Sequence, residues 1–395
     1  MTGRGRFVLG LGVLTYLVAR AFGSRPLYPV AIGLVLAVAV GWIWIRLADR
    51  PLRLQRAVGQ GEHLEGDDVP VDLVLEREGW LPIGSATIVE RIGKLGERMT
   101  LLDGGSGGYV LERLRRGRYT FEEARALLED PFGLHRLESG LPAGAAVVVY
   151  PRLVELDRLF SEAGAHAHDG RRLLLRRPSG FDLHSVREYE QGESLRRVHW
   201  RSTAKRGQLM VKELEDSPRD EVAVLLDADP KAVVGESFDV QVRAAGSILR
   251  AHAVRGRRAV LVVNSIEREV RRVHSFDGDW RQALEVLAAA EPNALTPLAA
   301  LLADEAAAVT RALELTLVTA TMPPRLVERL VERALAHRAV SVVFVDPTSF
   351  NGVAPRPEPG LLKLQTAGVP VVVVRRGDDL GALLSASPAV RVARA

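Results

Sequence analysis

Leu27 to Ile45 is a run of 19 residues without a charge, and no other stretch restricts the fold of this chain as strongly. About 20 apolar residues, each rising 1.5 Å along a helix, match the hydrocarbon thickness of a bilayer. The run ends in Trp42 and Trp44 and is followed by Arg46, Arg50, Arg53 and Arg56. Indole rings at one end with arginines beyond them mark a membrane interface and its cytoplasmic side. The spacing therefore predicts a transmembrane helix over 27–45. Phe7 to Ala19 is a second apolar stretch, preceded by Arg4 and Arg6 and followed by Arg20. Two readings stand for it: a helix over about 7–23 whose Arg20 snorkels, or a signal peptide cleaved near Ala19-Arg20-Ala21. The tight turn from Ser24 to Pro26 favours the helix. Either reading leaves the rest of the chain in the cytoplasm.

Beyond residue 50 the pattern changes. Val69 to Leu75, Ser85 to Ile92, Tyr109 to Leu114, Gly117 to Phe121 and Ala145 to Tyr150 read as short strands between Gly- and Pro-rich breaks, which predicts an antiparallel β-sandwich over 51–152. Residues 153–219 read as a connector followed by a polar block. From 220 to 395 apolar runs alternate with helical stretches. Strands are expected at Val222–Leu226, Arg258–Val263, Leu315–Thr319, Val340–Val345 and Val369–Val374. Helices are expected at Ser237–Ala253, Trp280–Ala290, Pro297–Leu313, Arg325–His337 and Gly360–Ala367. That order implies a mostly parallel, doubly wound sheet covered on both faces. The chain has no cysteine, which excludes disulfides, thiolate metal sites and cysteine nucleophiles and suits a reducing compartment. A formal charge of +4 over 395 residues leaves no overall nucleic-acid footprint.

The polar block from Gly180 to Asp216 interleaves Arg187, Arg196, Arg197, Arg201, Lys205 and Arg206 with Glu188, Glu190, Glu193, Glu213, Glu215 and Asp216, and sets Tyr189 and Trp200 among them. Alternating signs around two aromatic rings suit arginines forked onto carboxylates or onto an anion. Two readings follow: a clasp between domains that buries Trp200, or a surface for a ligand or partner. Arg187-Glu188-Tyr189, Gly192-Glu193, Arg196, His199-Trp200, Thr203-Ala204-Lys205 and Val211-Lys212-Glu213 closely resemble the signature of the bacterial family called "domain of unknown function 58". His199 stands where that signature usually has an acid. Arg116-Gly117-Arg118-Tyr119, Asp130-Pro131-Phe132-Gly133-Leu134 and Val149-Tyr150-Pro151-Arg152 match further phrases of the same family in the same order. The resemblance implies that the α/β domain is von Willebrand factor A-like, and that the protein is similar to adaptors working with MoxR-type AAA+ ATPases.

It also implies where a metal would sit. In metal-binding von Willebrand domains the first strand ends in Asp-x-Ser-x-Ser, and its oxygens hold Mg²⁺ with a more distant Thr and Asp. Here Asp227 is kept, Asp229 and Lys231 replace the serines, Thr296 stands where the family has its Thr, and Thr319-Ala320-Thr321 lacks the acid. An ammonium at a ligand position repels the cation, so no working Mg²⁺ site is expected; loose binding at Asp227 and Asp229 stays open. Gly104-Gly105-Ser106-Gly107-Gly108 satisfies G-x-S-x-G only formally, because a nucleophile elbow needs a helix after the serine. His166-Ala167-His168-Asp169 lacks a third ligand at metal spacing. No Walker A, HExxH or Rossmann fingerprint occurs.

The expectation is an α+β multidomain membrane protein: two N-terminal transmembrane helices, an antiparallel β-sandwich and a doubly wound α/β domain. It is expected to be a non-enzymatic, multi-pass adaptor or scaffold at the bacterial cell membrane, with its soluble domains cytoplasmic, without a cofactor, and partnered by the bilayer and a MoxR-type AAA+ ATPase. The alternatives are ligand binding at a degenerate metal-dependent adhesion site, and anionic lipid or nucleic acid held by Arg196 to Arg206.

Overall fold

The computed structural model describes residues 1–386 apart from 60, 79–82, 84, 143, 162–181, 189–199, 216–221, 275, 277, 305–307 and 354–356; at 182–188 and 211–215 the description is of the backbone. The chain divides into two compact units, Met1–Tyr150 and Pro151–Ala395.

The first unit opens with a helical hairpin, α1 (Gly3–Ala21) and α2 (Leu27–Ala48). Thr2 caps α1 by accepting from Gly5 N at 3.1 Å. Gly12 lets α1 approach Ala31, Leu34 and Val35 of α2, and Tyr16 meets Tyr28 edge to face. Small residues at such a crossing permit close backbone contact. Of the described helices, only α2 is long and apolar enough to cross a membrane. The expectation of two spanning helices is corrected on this point. Arg4, Arg6 and Arg20 flank the short apolar run of α1, so the helix reaches the length of a span but not its hydropathy.

Two sheets follow. The smaller is ordered β1-β3-β6, with β1 Leu52–Val58, β3 Val69–Arg77 and β6 Ser106–Leu111. The larger is ordered β2-β9-β7-β4-β5, with β2 His63–Leu64, β4 Ala86–Ile92, β5 Gly96–Leu102, β7 Gly117–Glu129 and β9 Ala146–Tyr150; β8 (Arg136–Leu141) pairs with β7. β3 alternates strictly, with Val69, Val71, Leu73 and Leu75 buried and the residues between them outward. These side chains share one core with Ile88, Ile92, Phe121, Ala126 and Val149 of the larger sheet. β7 is longer than the sequence suggests. Glu122 to Glu129 is rich in helix formers, yet beyond an irregularity opposite Ile92 it continues as strand, burying Ala124, Ala126 and Leu128. Pairing on both sides overrides a helix propensity of a few tenths of a kcal/mol per residue.

In the second unit β10 (Asp182–Glu188) and β11 (Met210–Glu215) form an antiparallel pair, joined through α3 (Trp200–Arg206). The main sheet has the order β14-β13-β12-β15-β16-β17: β12 Val222–Asp227, β13 Ala259–Asn264, β14 Glu269–Val273, β15 Glu314–Thr319, β16 Ala339–Val345 and β17 Val371–Val374. All its pairings are parallel except that of the edge strand β14. Val222, Val224 and Leu226 point into one core with α4 (Ser237–Val254), α5 (Gly278–Ala289) and the C-terminal helix α10 (Leu380–Ser385). Ala223 and Leu225 point into the other, with α6 (Leu298–Ala303), α7 (Ala308–Arg311), α8 (Pro324–Leu335) and α9 (Pro359–Thr366). The single helix expected over 297–313 is thus two short ones. Leu156, Leu159 and Phe160 also join the first core, and Gly246 leaves room for Leu153 against α4.

Candidate functional site

Open parallel sheets expose their carboxyl ends to ligands, because there the strands stop and the loops diverge. Three strand-terminal residues meet at that edge. Asp227 ends β12 and is buried. Its Oδ2 accepts the Thr319 hydroxyl at 2.7 Å, from the end of β15. Its Oδ1 accepts the Asp229 amide at 3.3 Å and, at a long 3.5 Å, the Asn264 side-chain amide from the end of β13. Burial pushes the Asp227 carboxyl above the ordinary aspartate range; the hydrogen bonds from Thr319 and Asn264 oppose this, and the Asp229 charge adds to it.

The residues expected around a metal are occupied otherwise. Asp229 caps the short 3₁₀ turn Pro230–Ala232 by accepting the Lys231 amide at 2.9 Å. The Thr296 hydroxyl accepts Arg268 Nη2 at 2.9 Å, and its carbonyl accepts Asn264 Nδ2 at 2.9 Å. A cation bound between Asp227 and Thr296 would face the Arg268 guanidinium. Octahedral Mg²⁺ needs free hard oxygens, so this donor set does not fit it. Among the described residues no group of three or more His, Asp or Glu is placed to hold a metal. Asn264 and Arg268 were not singled out by the sequence, and Thr319 was noted only in a loop that lacks the family's acid. Asn264 closes the apolar run Val260-Leu261-Val262-Val263, and a polar residue ending a buried strand was the available signal.

Arg268 is exposed and adopts a left-handed φ of 49°. Ile266 and Leu295 are exposed beside it in the sequence of the same two loops. The edge therefore presents a guanidinium and apolar side chains, over a carboxylate satisfied from within.

The polar block is only partly described. Arg187 and Glu188 lie on β10 opposite Val211 and Met210, and Glu213 on β11 opposite Ser185. Tyr189, Gly192, Glu193, Arg196 and Arg197 lie outside the described residues, as does His166-Ala167-His168-Asp169. The Thr203 hydroxyl accepts the Met210 amide at 3.0 Å, tying α3 to β11. Gly207, at φ 70°, donates to the Thr203 carbonyl where the helix ends. Trp200 is 66% exposed, and Arg201, Lys205 and Arg206 are exposed with it. The burial expected of Trp200 is not seen on α3, where Ser202 and Thr203 are the half-buried residues. Ser106 lies in a turn through Gly104 and Gly105, both at positive φ, and opens a strand instead of a helix.

Comparison with known proteins adds three findings. "Uncharacterized protein YeaD" of Bacillus subtilis (strain 168) is 26% identical over 196 residues, 48% of this chain and 47% of that protein. The chain thus matches about half the length of that curated relative. "Cwp6 from Clostridium difficile" overlaps 82% of this chain and 37% of its own at 8% identity, with a TM-score of 0.18, which is too low to bear on the fold. The family described as "Protein of unknown function DUF58" matches residues 185–369, from within β10 to just before β17, and with the Bacillus relative this supports the DUF58 family for that part of the chain.

Proposed function

We propose that this protein is a membrane-anchored, non-enzymatic adaptor. The single observation that carries the reading is Trp200, exposed on a short helix between Arg201, Lys205 and Arg206. Trp and Arg are the residues most enriched where protein interfaces concentrate their binding energy, and a solvated face has no use for an open indole. The apolar helix α2 supports the anchor. The sheet order, with one antiparallel edge strand, supports reading the second unit as von Willebrand factor A-like. The arginines following Trp44 favour a cytoplasmic placement. A MoxR-type AAA+ ATPase is the partner class that the signature's resemblance supplies.

The test is affinity capture from detergent-solubilised membranes, with ATP or ADP present and partners identified by mass spectrometry. Wild type should retain a nucleotide-dependent partner, and Trp200→Ala should lose it with an unchanged melting temperature. Equal capture by both would remove Trp200 from the interface. Loss of vesicle binding alone would assign α3 to anionic lipid.

A second reading is favoured by Arg268 on Thr296: an acidic side chain of a partner peptide docks on the guanidinium between Ile266 and Leu295. Arg268→Ala with wild-type folding would then weaken an acidic peptide and spare a neutral one.

A further inference from the structure

The connection between β7 and β8, Asp130-Pro131-Phe132-Gly133-Leu134-His135, packs against the membrane helix itself. Asp130 is 3% exposed, and His135 is buried with it. Both lie over Gly41 of α2, where a Cβ would stand 2.5 Å from Asp130 Oδ2 and 3.2 Å from His135 Nδ1. Pro131 lines a cavity together with Trp44 and Ile45. On the other side Thr2, at the start of α1, donates its amide and its hydroxyl to the Leu134 carbonyl, and the same hydroxyl reaches the Gly133 carbonyl. Gly41 precedes Ile45, the end of the uncharged run, by four residues, or about 6 Å of helix. The turn therefore stands level with the last turn of the apolar span, beside Trp42 and Trp44.

Backbone at that depth must satisfy its own polar groups, because lipid cannot. This turn largely does so. Gly133 N donates to the Asp130 carbonyl at 2.9 Å, His135 N to Asp130 Oδ1 at 2.6 Å, and Asp130 N to the His135 carbonyl at 3.3 Å. Pro131 has no N–H, and Thr2 takes up the carbonyls of Gly133 and Leu134. Asp130 Oδ2 and His135 Nδ1 have no hydrogen-bond partner among the described residues, and both are covered by α2. Pro131 and Phe132 are left outward, the large ring of Phe132 58% exposed at the third position of the turn. Proline at the second position and glycine at the fourth, with φ 64°, hold it there.

We propose that this turn is a second membrane contact, with Phe132 inserted into the interfacial region of the bilayer. It rests on α2 spanning that bilayer. The ring, pinned to α2 through Asp130 and His135 and to α1 through Thr2, would fix the β unit's orientation against the lipid surface.

The absence of cysteine makes the test direct. Single-cysteine chains Phe132→Cys, Leu36→Cys (on α2) and Met99→Cys (on β5) are spin-labelled, reconstituted in phosphatidylcholine/phosphatidylglycerol vesicles and probed by collision with oxygen and with a neutral nickel chelate. The proposal expects oxygen to dominate at 36 and, more weakly, at 132, with the chelate dominating at 99. Lipid contact at 36 with a water-like signal at 132 overturns the membrane contact and leaves the span standing. A water-like signal at 36 overturns the span, and the proposal with it.

Discussion

Arg56 Nε donates to Glu90 Oε1 at 2.9 Å across the interior of the β unit, with 7% and 1% of the two side chains exposed. Arg56 stands on the smaller sheet and Glu90 on the larger, so the pair ties the sheets through their shared core. Tyr109 donates its hydroxyl to Glu90 Oε2 at 2.7 Å, and the Arg56 guanidinium lies 4.4 Å from the centre of the Phe121 ring. Every charge here has a partner, and removing one strands the other. Glu90→Gln or Arg56→Met should cost about 3–5 kcal/mol in urea unfolding of the full chain in detergent. The double variant Arg56→Met/Glu90→Leu should recover most of that loss, since it leaves no buried charge. If the single variants unfold like wild type, the pair is solvated.

Tyr109 gives the same cluster an alkaline signature. Burial, then the hydrogen bond and charge of Glu90, raise its phenol well above the usual value. The folded state holds the proton more tightly, so this contribution is whole below about pH 10, the ordinary phenol value, and declines as pH rises beyond it. Melting temperatures from pH 8 to 11 should fall more steeply for wild type than for Tyr109→Phe. Parallel curves would place the phenol in water.

His252 acts at the acid end. It is wholly buried on α4 and accepts Arg257 Nη1 at 3.2 Å; burial, with the charges of Arg257 and Arg255, lowers it to about 3. The unfolded chain takes up this proton near 6.5, so the neutral ring's contribution is whole above that pH and is lost as pH falls towards 3. One such proton changes stability by about 1.4 kcal/mol per pH unit. His252→Leu should flatten the acid limb between pH 6 and 4 by about one proton, read by urea unfolding at each pH. An unchanged slope would mean that the ring charges in the folded state.

Asp227 has the opposite sign. Its carboxyl is raised, so its contribution is present below the unfolded value and is lost as pH rises through the folded one. Asparagine keeps an acceptor for Thr319 without the buried charge. Asp227→Asn should therefore melt at or above wild type at pH 7, with an advantage that shrinks towards pH 4, while Asp227→Ala melts lower. Millimolar Mg²⁺ should raise none of these melting temperatures, since only a ligand that binds the folded state stabilises it. A Mg²⁺-dependent rise abolished by both substitutions would restore the metal site.

Much of the architecture was legible because local pattern and tertiary demand agree there. The uncharged run became α2, the alternation at Val69 to Leu75 became β3, and the continuous run Val222 to Leu226 became a strand buried on both faces. The family signature was also readable, and the match over 185–369 starts within it. β1, β2, β5, β8 and β14 were not seen. Leu101 of β5 and Val270 of β14 face outward, so no apolar alternation marks those two.

The sequence by itself determined which segments must leave water and with what period: an apolar span, half-buried strands, and a sheet needing helices on both faces. Only the tertiary structure decided how distant polar groups pair. Arg56 meets Glu90, and Thr319 and Asn264 meet Asp227, across separations that no periodicity encodes. It also made a strand of Glu122 to Glu129, whose residues favour a helix. The reason is the same in each case. Burial acts on each residue through its own hydrophobicity, which the sequence shows directly, whereas a buried hydrogen bond or ion pair forms only where the folded backbone brings two groups within 3 Å or so.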